Sequence, residues 1–314
     1  MLYSQVIVTI AALSGTAAAA CTNPAIRKEW RELSTEERTS YTNAVNCLTI
    51  KPSQIGLETT RYDDFAYAHS MLNNEIHNVA SFLPWHRLFV QVYEDALKEC
   101  GYTGSATYWD WTLDAHDVPN SPIWSATTGL GGNGDPNHTE LSEGYIINCV
   151  SDGPFKNLRP AYLPSGYSLH CLYRTFNNGT SQVGNMLGHA YTPEAVQNVM
   201  SEETYDQFRV RLEVRPHGAV HSAVAGEMMP STSPNDPLFF LHHTQVDRLW
   251  WLWQEEDPED RYADYAGYKT QLQPGGPTPQ QATLDDRMPM WGLAADLRVR
   301  EVMRTETEVL CYRY

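Results

Sequence analysis

The pattern of apolar and polar positions along the chain predicts a mainly helical protein. In residues 61–74, Phe65, Ala68 and Leu72 recur at the three-to-four-residue spacing of one helix face. Residues 237–256 are apolar around almost the whole circumference of a helix, which predicts that this helix is buried. The helical segments predicted in this way are 34–47, 61–74, 85–99, 193–200, 202–212 and 237–256.

Capping and breaking residues set several of these boundaries. Ser34 is followed three positions later by Glu37, the spacing of a capping box, so we expect a helix to begin there. Pro84 suits the first turn of the helix that follows it, and Gly101 suits the end of that helix.

The rest of the chain reads as loops. Residues 111–191 are rich in Gly, Pro, Asn and Ser, which predicts irregular structure, and the tail beyond residue 277 is expected to be extended. No internal repeat and no long linker divides the chain. We therefore expect one mainly α domain with a core of about four helices, long irregular loops and few short strands.

The composition excludes several classes of protein. The chain has 314 residues, of which 42% are hydrophobic and 19% charged, so it can bury a sizeable core and is not disordered. Lys and Arg number 22 against 38 Asp and Glu, which gives a net charge of −16. This balance argues against binding to nucleic acid or to an anionic membrane. A neutral, cationic or metallic ligand fits better.

The N-terminus resembles a secretory signal peptide. An apolar stretch at residues 6–13 runs into four alanines at residues 17–20, the small-residue ending typical of a cleavage site. No other segment is long and apolar enough to suggest a membrane span. We therefore expect residues 1–20 to be removed and residues 21–314 to form a soluble, secreted protein.

The cysteines and two sequons fit a secretory compartment. Six cysteines follow the signal peptide, and this even number predicts three disulfides, although fifteen pairings are possible. The expected pairs are Cys21 with Cys311, Cys149 with Cys171, and Cys47 with Cys100. The first pair is expected because the ends of a domain often lie close together. The second pair lies in one loop-rich stretch, and the third pair is made of the two cysteines that remain. Asn137 and Asn178 begin N-glycosylation sequons in turn-rich sequence.

Six of the eleven histidines lie in or beside the helical segments and form two groups of three. The first group is His69, His77 and His86, and the second is His217, His221 and His243. His217 and His221 are four residues apart, which places both imidazoles on one helix face within reach of one metal ion. His69 and His77 cannot share an ion on one helix, because their separation rises about 12 Å while two ligand nitrogens lie within about 4 Å. If both bind one ion, the helix must therefore end before His77 and the chain must loop back.

Groups of three imidazoles favour copper or zinc over calcium or magnesium, since neither group has a carboxylate or thiolate companion. A lone histidine in an apolar helix is more often a hydrogen-bonded core residue. This interpretation applies to His116, His138, His170 and His189. Zinc hydrolysis remains an alternative, although neither group shows the His-Glu-x-x-His pattern of the zinc proteases.

The residues around both groups resemble the copper-binding signatures of the tyrosinase and catechol oxidase family. The first signature is Phe82-Leu83-Pro84-Trp85-His86-Arg87. The second begins at Pro216-His217-Gly218-Ala219-Val220-His221 and continues through Asn235-Asp236-Pro237-Leu238-Phe239-Phe240-Leu241-His242-His243 and Val246-Asp247-Arg248-Leu249-Trp250. The resemblance extends from Arg27 to Tyr314 and is strongest to short secreted fungal polyphenol oxidases.

This resemblance implies a binuclear type-3 copper centre with dioxygen as co-substrate. It assigns the first group, His69, His77 and His86, to one copper ion and the second group, His217, His221 and His243, to the other. Spacing alone does not choose between His242 and His243, whereas the family pattern makes His243 the ligand. Some members link a cysteine to the second histidine of the first group. No cysteine lies near His77 in the sequence, so its loop is expected to be held by packing alone.

The resemblance also implies roles for Glu213 and Gly218. Glu213 stands where several members hold an active-site water, and an ion pair with Arg211 or Arg215 is the alternative. Gly218 stands where some members carry an Asn that helps to orient this water for monophenols. Glycine offers no side-chain acceptor, so oxidation of o-diphenols is expected and hydroxylation of monophenols is in doubt.

Three further expectations concern the packing beneath the copper ions, the entrance to the active site and a structural ion pair. Phe239, one turn before the third histidine of the second group, is expected to pack beneath the copper ions. The position that gates substrate entry in relatives falls near Met229 and Pro230, so the entrance should lack a bulky aromatic. Asp247 and Arg248 are expected to form a structural ion-pair network.

We therefore predict a secreted copper polyphenol oxidase that converts o-diphenols to o-quinones with dioxygen and hydroxylates monophenols weakly or not at all. The alternatives are a tyrosinase with full monophenol activity and a non-catalytic oxygen-binding dicopper protein. The expected partners are small phenols, while the oligomeric state stays open. The sequence ends at Cys311-Tyr312-Arg313-Tyr314, which resembles the tyrosine motif that closes the catalytic core, so no C-terminal shielding domain is expected.

Overall fold

The computed structural model describes residues 21–177, 179 and 184–314. Within these residues the chain forms eight α-helices, and four of them carry or flank the two histidine groups. The helices are α1 Thr35–Leu48, α2 Arg61–Ile76, α3 Phe82–Glu99, α4 Pro193–Met200, α5 Tyr205–Leu212, α6 Gly218–Val224, α7 Leu238–Glu256 and α8 Pro258–Arg261. The predicted mainly α fold is confirmed.

The strands of the described residues form four two-stranded sheets. The sheets are β1 Ala25–Ile26 with β8 Tyr312–Arg313, β2 Gly134–Ser142 with β3 Tyr145–Val150, β4 Tyr162–Leu163 with β5 Gly166–Tyr167, and β6 Arg287–Met288 with β7 Leu297–Arg298. The β1–β8 pair is parallel and sets Ala25 opposite Tyr312, so it joins the two ends of the described chain.

Helix boundaries follow the capping residues closely. Ser34 accepts the Glu37 N–H at 3.1 Å and donates its own N–H to the Glu37 carboxylate at 2.7 Å, so the predicted capping box opens α1. α3 begins at Phe82, three residues before the predicted start. Pro84 is tolerated there because the first-turn N–H groups need no partner within the helix. α5 begins at Tyr205, later than the predicted residue 202.

One element of the loop-rich middle differs from the prediction of irregular structure. β2 and β3 form an antiparallel hairpin that pairs Leu141 with Ile146. The pairing register shifts between Gly134 and Thr139. The strand escaped prediction because its first residues, Gly-Asp-Pro-Asn, have the composition of a turn.

The centre of the core lies between α2, α3 and α7. Tyr93 of α3 stacks on Phe240 of α7 with ring centroids 3.4 Å apart and an interplanar angle of 2°. Phe65 of α2 meets both rings edge-on, at 5.2 Å from Tyr93 and 5.8 Å from Phe240. α7 is buried along most of its length, as its apolar circumference predicted. These contacts fix three histidine-bearing helices relative to one another.

A buried charge network ties both ends of the chain to α7. The Asp247 carboxylate accepts hydrogen bonds from Arg87 at 2.5 Å and from Arg27 at 3.3 Å. The hydroxyls of Tyr312 and Tyr314 donate to the same carboxylate at 2.5 and 2.6 Å. Burial opposes ionisation, but the two guanidinium groups and the two tyrosine hydroxyls together outweigh it and lower the pKa of Asp247. This geometry agrees with the structural role expected for Asp247.

All three predicted disulfides are confirmed. They are Cys21–Cys311, Cys47–Cys100 and Cys149–Cys171. The first closes the end of the fold at the β1–β8 pair, the second joins the end of α1 to the end of α3, and the third fastens the hairpin to the segment that follows it.

Further predictions concern the signal peptide, the two sequons and the absence of a membrane span. Residues 1–20 and the Asn178 sequon lie outside the described residues, and Asn137 is exposed on β2. None of the helices in the described part of the chain is both long and apolar enough to cross a membrane.

Candidate metal centre

The first histidine group lies where α2 ends and α3 begins. His69 is in α2, His77 follows the last residue of α2, and His86 is in α3. The backbone leaves the helix at His77 with φ −123° and ψ 143°. The His77 ring then lies 4.9 Å from that of His69 and 5.1 Å from that of His86. The helix break predicted from the His69–His77 spacing is therefore confirmed.

The second group is built from two neighbouring helices. His217 ends a π-helical turn over Glu213–His217, and His221 lies one turn later in α6. His243 comes from α7. The ring centroid of His217 lies 4.6 Å from that of His221 and 5.0 Å from that of His243. The four-residue spacing thus places two imidazoles side by side, as predicted.

Backbone carbonyls orient five of these six rings. A carbonyl oxygen can only accept, so the Nδ1 atom beside it carries the proton and Nε2 keeps its lone pair. In the first group, Nδ1 of His69, His77 and His86 donates to the carbonyls of Ser231, Asn73 and Phe82 at 2.6, 3.1 and 2.8 Å, respectively. In the second group, Nδ1 of His217 and His221 donates to the carbonyls of Glu213 and Met228 at 2.8 and 2.5 Å.

The separations between Nε2 atoms fit a metal ion in each group. Nε2 of His69 lies 3.4 Å from Nε2 of His86, and Nε2 of His221 lies 3.4 Å from Nε2 of His243. Two nitrogens each about 2 Å from one ion, at a tetrahedral angle, lie about 3.3 Å apart. The facing lone pairs of His69 and His86 repel each other unless a cation lies between them. Nε2 of His217 is buried and has no hydrogen-bond partner among the described residues.

The six rings are neutral at pH 7, and the two groups touch. Burial lowers the pKa of His77 and of His221 to about 4. Burial likewise holds the pKa values of the remaining four, His69, His86, His217 and His243, well below the ordinary 6.5. The rings of His86 and His243 stack at 4.4 Å with an angle of 17°. The arrangement therefore offers neutral nitrogen ligands to two adjacent ions.

His242 also lies in the second cluster. Its ring is nearly parallel to that of His217, with centroids 5.2 Å apart, and lies 4.9 Å from His221 and 5.1 Å from His243. Proximity alone therefore does not separate His242 from His243, just as spacing alone did not.

Glu213 lies at the wall of the site and is hydrogen-bonded on both carboxylate oxygens. Oε1 accepts the Asn78 N–H at 2.5 Å, and Oε2 accepts from Arg209 at 3.0 Å. Burial raises the pKa of Glu213 to about 7, although both donors act to lower it. Among the described residues, its ion-pair partner is Arg209 and not the expected Arg211 or Arg215. Arg209 precedes Glu213 by four residues, so it shares its helix face, a signal present in the sequence.

The loop that carries His77 is held by hydrogen bonds as well as by packing, which corrects the expectation of packing alone. Gln271 donates to the His77 carbonyl at 3.0 Å. Glu213 binds the next N–H along the chain, that of Asn78, whose φ is 57°. All six cysteines are paired in disulfides, so none is available for a thioether to His77. No feature of the sequence around Gln271 indicated this role.

Phe239 and Gly218 have different positions at the site, since Phe239 is buried against the histidines and Gly218 lines the cavity. The fully buried Phe239 ring stacks on His243 with centroids 4.1 Å apart and meets His69 edge-on at 5.1 Å. It therefore contacts a histidine of each group. Gly218 begins α6, and a Cβ at this position would lie 3.3 Å from the carbonyl oxygen of Glu213.

An open cavity of about 340 Å³ gives access to the histidines. Glu213 and Gly218 line it together with histidines of both groups, and Val214, Met229 and Pro230 contribute apolar surface. Met229 is 57% exposed. Apart from histidines, none of the described residues that line the cavity is aromatic, which agrees with the expected entrance.

Comparison with known protein sequences gives a consistent result. The sequence profile described as the common central domain of tyrosinase matches residues 59–256. Tyrosinase-like protein phomQ2 of Diaporthe leptostromiformis is 43% identical over 299 residues, which cover 94% of this chain and 74% of that protein. Tyrosinase P of Aspergillus terreus is 33% identical over 338 residues, which cover 94% of this chain and 93% of that protein.

Solved structures share the same architecture. A variant of polyphenol oxidase from Thermothelomyces thermophila superposes with a TM-score of 0.77 at 32% identity, covering 93% of this chain and 88% of the other. A functional unit of octopus hemocyanin gives a TM-score of 0.52 at 22% identity, covering 74% and 53%, which shows a shared fold alone. Together with the two histidine groups, whose geometry fits a pair of metal ions, these matches show that the chain belongs to the tyrosinase family, which implies a dicopper site.

Proposed function

We propose that this protein is a secreted copper oxidase that converts o-diphenols to o-quinones with dioxygen. The observation that carries the proposal is the convergence of two groups of neutral imidazoles below one open cavity. A ligand set of nitrogen alone suits copper. The proposed ligands of the two ions are His69, His77 and His86, and His217, His221 and His243.

Copper ions held by these residues would supply the redox chemistry that passes electrons from the phenol to dioxygen. Overall, two o-diphenols and one dioxygen give two o-quinones and two waters. Each diphenol loses two protons and two electrons in this reaction. A residue of the protein that accepts a phenol proton near neutral pH would therefore assist it.

Glu213 suits this task. The Asn78 N–H and Arg209 fix the carboxylate, and each carboxylate oxygen can still accept a further hydrogen bond from a water or a substrate hydroxyl. Its pKa near 7 means that the carboxylate form is populated at neutral pH, yet still basic enough to take up a proton. We assign to Glu213 the role of proton acceptor, directly or through one water.

The preference for diphenols rests on Gly218. This position carries no side-chain amide that could act with Glu213 to orient a water for the deprotonation of a monophenol. Phe239 stacks on His243 and meets His69 edge-on, so it supports histidines of both groups from within the core. The other activity to consider is full tyrosinase activity, since relatives at 33 and 42% identity are named Tyrosinase P and Tyrosinase ustQ.

Secretion is part of the same proposal. Residues 1–20 direct export, and residues 21–314 contain the catalytic domain. The three disulfides support an oxidising compartment, and Asn137 is exposed where a glycan would extend into solvent.

Oxygen consumption by the copper-loaded protein tests the proposal. We expect about two copper ions per chain, rapid consumption with catechol and slow consumption with tyrosine. His86→Ala removes a proposed ligand and abolishes turnover, whereas His189→Ala, on an exposed histidine, is the matched control and leaves it unchanged. Hydroxylation of tyrosine without a diphenol primer would establish the tyrosinase alternative. Reversible oxygen binding without turnover, or activity with zinc alone, would refute oxidase function.

A further inference from the structure

A second cavity of about 430 Å³ adjoins the metal site. Met229 and Pro230 line both cavities, so the two spaces meet at this point. Tyr145 and Ile147 of β3 line the second cavity together with Tyr173. We call this second cavity the hairpin groove.

The hairpin presents apolar side chains to the groove. Successive side chains of a strand point to opposite faces, so Tyr145 and Ile147 face the groove while Ile146 faces away. Tyr145 is 75% exposed and Met229 is 57% exposed, and both border the same space. Covering neighbouring apolar side chains with a ligand removes them from water, which lowers the free energy and so favours binding.

The groove and the metal site are joined by a rigid segment. Gly226 packs so closely that a Cβ would lie 2.4 Å from the Tyr173 carbonyl oxygen. Two residues later, the Met228 carbonyl accepts the hydrogen bond that orients His221. The Cys149–Cys171 disulfide holds the hairpin against the segment that carries Tyr173. These contacts therefore fix the position of the groove relative to the histidines.

Charge restricts what the groove can accept. Glu143 lies at its rim, accepts a hydrogen bond from the Ser165 hydroxyl, and has no ion-pair partner within the described part of the chain. No Lys or Arg is among the described lining residues. An apolar group that is neutral or cationic fits, whereas an anionic group meets an uncompensated carboxylate.

We propose that the hairpin groove binds an apolar arm attached to the phenolic ring of the substrate. This enzyme would then prefer phenols that carry such an arm over phenols without one. This inference rests on the proposed function. The diphenol ring enters the metal cavity, and the part of the substrate that links the ring to the arm passes over Met229 and Pro230. The arm, a neutral aromatic or branched aliphatic group, lies against Tyr145.

Two matched substrates and two matched variants test this specificity. N-acetyldopamine has no aromatic arm, and N-(3-phenylpropanoyl)dopamine carries one on the same amide. We expect the wild-type KM to be about tenfold lower for the armed substrate, from the apolar area that the arm buries. Tyr145→Ser removes this difference, whereas Ile146→Ser, equally exposed but on the opposite face of the hairpin, keeps it. Ile146→Ser does not change kcat/KM for N-acetyldopamine, and a carboxylate on the arm's phenyl ring removes the advantage.

Binding to the metal-free protein provides a readout independent of turnover. N-(3-phenylpropanoyl)-2-phenylethylamine, which has no phenol, binds wild type and Ile146→Ser but not Tyr145→Ser in titration calorimetry. Equal KM values for the two substrates in wild type, or identical behaviour of the two variants, overturn the inference. A wild-type dimer that Tyr145→Ser dissociates assigns the groove to a second copy and also overturns it. Binding of the analogue without oxidation of any diphenol supports the groove but refutes the proposed function.

Discussion

His242 accepts a hydrogen bond from Trp111, whose indole Nε1 lies 3.2 Å from Nδ1 of His242. An indole N–H can only donate, so Nδ1 of His242 must hold a lone pair. Burial keeps the pKa of His242 well below 6.5, so the ring is neutral and its single proton is on Nε2. The five rings bonded to carbonyls have the opposite arrangement. His242 therefore has no Nε2 lone pair to offer, and this tautomer supports our proposal that His243 is the third ligand of the second group.

Copper content should separate the two adjacent histidines. We expect His243→Ala to retain about one of two copper ions and to lose turnover, because the second group is left with two nitrogens. His242→Ala should keep copper at the second site. Atomic absorption on copper-loaded, dialysed protein measures both, with folding verified by circular dichroism. The reverse pattern, with the second site empty only in His242→Ala, would show that the tautomer argument is wrong.

Local features of the fold were accessible from the sequence because neighbouring residues encode them. Ser34 and Glu37 form the expected capping box, and the rise per residue of a helix was enough to end α2 before His77. The hairpin β2–β3 was missed, since its pairing depends on contacts between strands and its first residues resemble a turn.

Among the polar contacts of the site, those between residues close in sequence could be predicted, whereas those between distant residues could not. Arg209 and Glu213 are four residues apart on one helix, so their pairing was within reach of sequence reasoning. The Gln271 contact with His77 spans 194 positions, and the Trp111 contact with His242 spans 131. Nothing in the spacing of such residues indicates that folding will bring them together, so these positioning groups required the structure.

The stability of the metal-free protein should fall as pH rises through the titration of Glu213. The ordinary pKa is 4.5 and the folded value is about 7, so the unfolded chain releases this proton first. Between these values the folded state binds more protons, and the free energy of unfolding therefore decreases with pH, by at most about 3 kcal/mol. Glu213→Gln cannot titrate and should remove this part of the slope. Urea unfolding at several pH values with a chelator present checks it, and parallel curves for the two proteins would contradict it.

Turnover should depend on the Glu213 carboxylate more than copper binding does. Glu213→Gln keeps an amide oxygen for the Asn78 N–H, so the His77 loop and its copper should remain. Loss of the proton acceptor should slow kcat for catechol by about 100- to 10,000-fold. Glu203→Gln, on an exposed residue of the same region, is the control. If copper and activity are lost in equal proportion, Glu213 positions the His77 loop and is not a base.

The Gly218 position should tune the balance between monophenols and diphenols. Gly218→Asn supplies an amide beside Glu213, so the ratio of tyramine to catechol activity should rise. Any side chain there brings a Cβ to 3.3 Å from the Glu213 carbonyl, which must shift by a few tenths of an ångström. Gly218→Ala carries this cost without the amide and should leave the ratio unchanged. A similar rise in the Ala variant, or prompt hydroxylation of tyrosine by the wild type, would refute the role of the missing amide.

The terminal disulfide should stabilise the protein more than the hairpin disulfide. Cys21–Cys311 spans 290 positions and Cys149–Cys171 spans 22, so the terminal bridge restricts the unfolded chain more strongly, by about 2 kcal/mol in the loop-entropy description. The folded termini have other attachments, since β1 pairs with β8 and the Arg27 guanidinium lies 3.3 Å from the Tyr312 ring centroid. Replacing both terminal cysteines with alanine should therefore leave the fold intact and act through the unfolded state. Urea unfolding of this double variant, and of the double variant with Cys149→Ala and Cys171→Ala, measures how much free energy of unfolding each one loses. A greater loss in the hairpin variant would mean that the short bridge acts mainly by holding the folded hairpin in place.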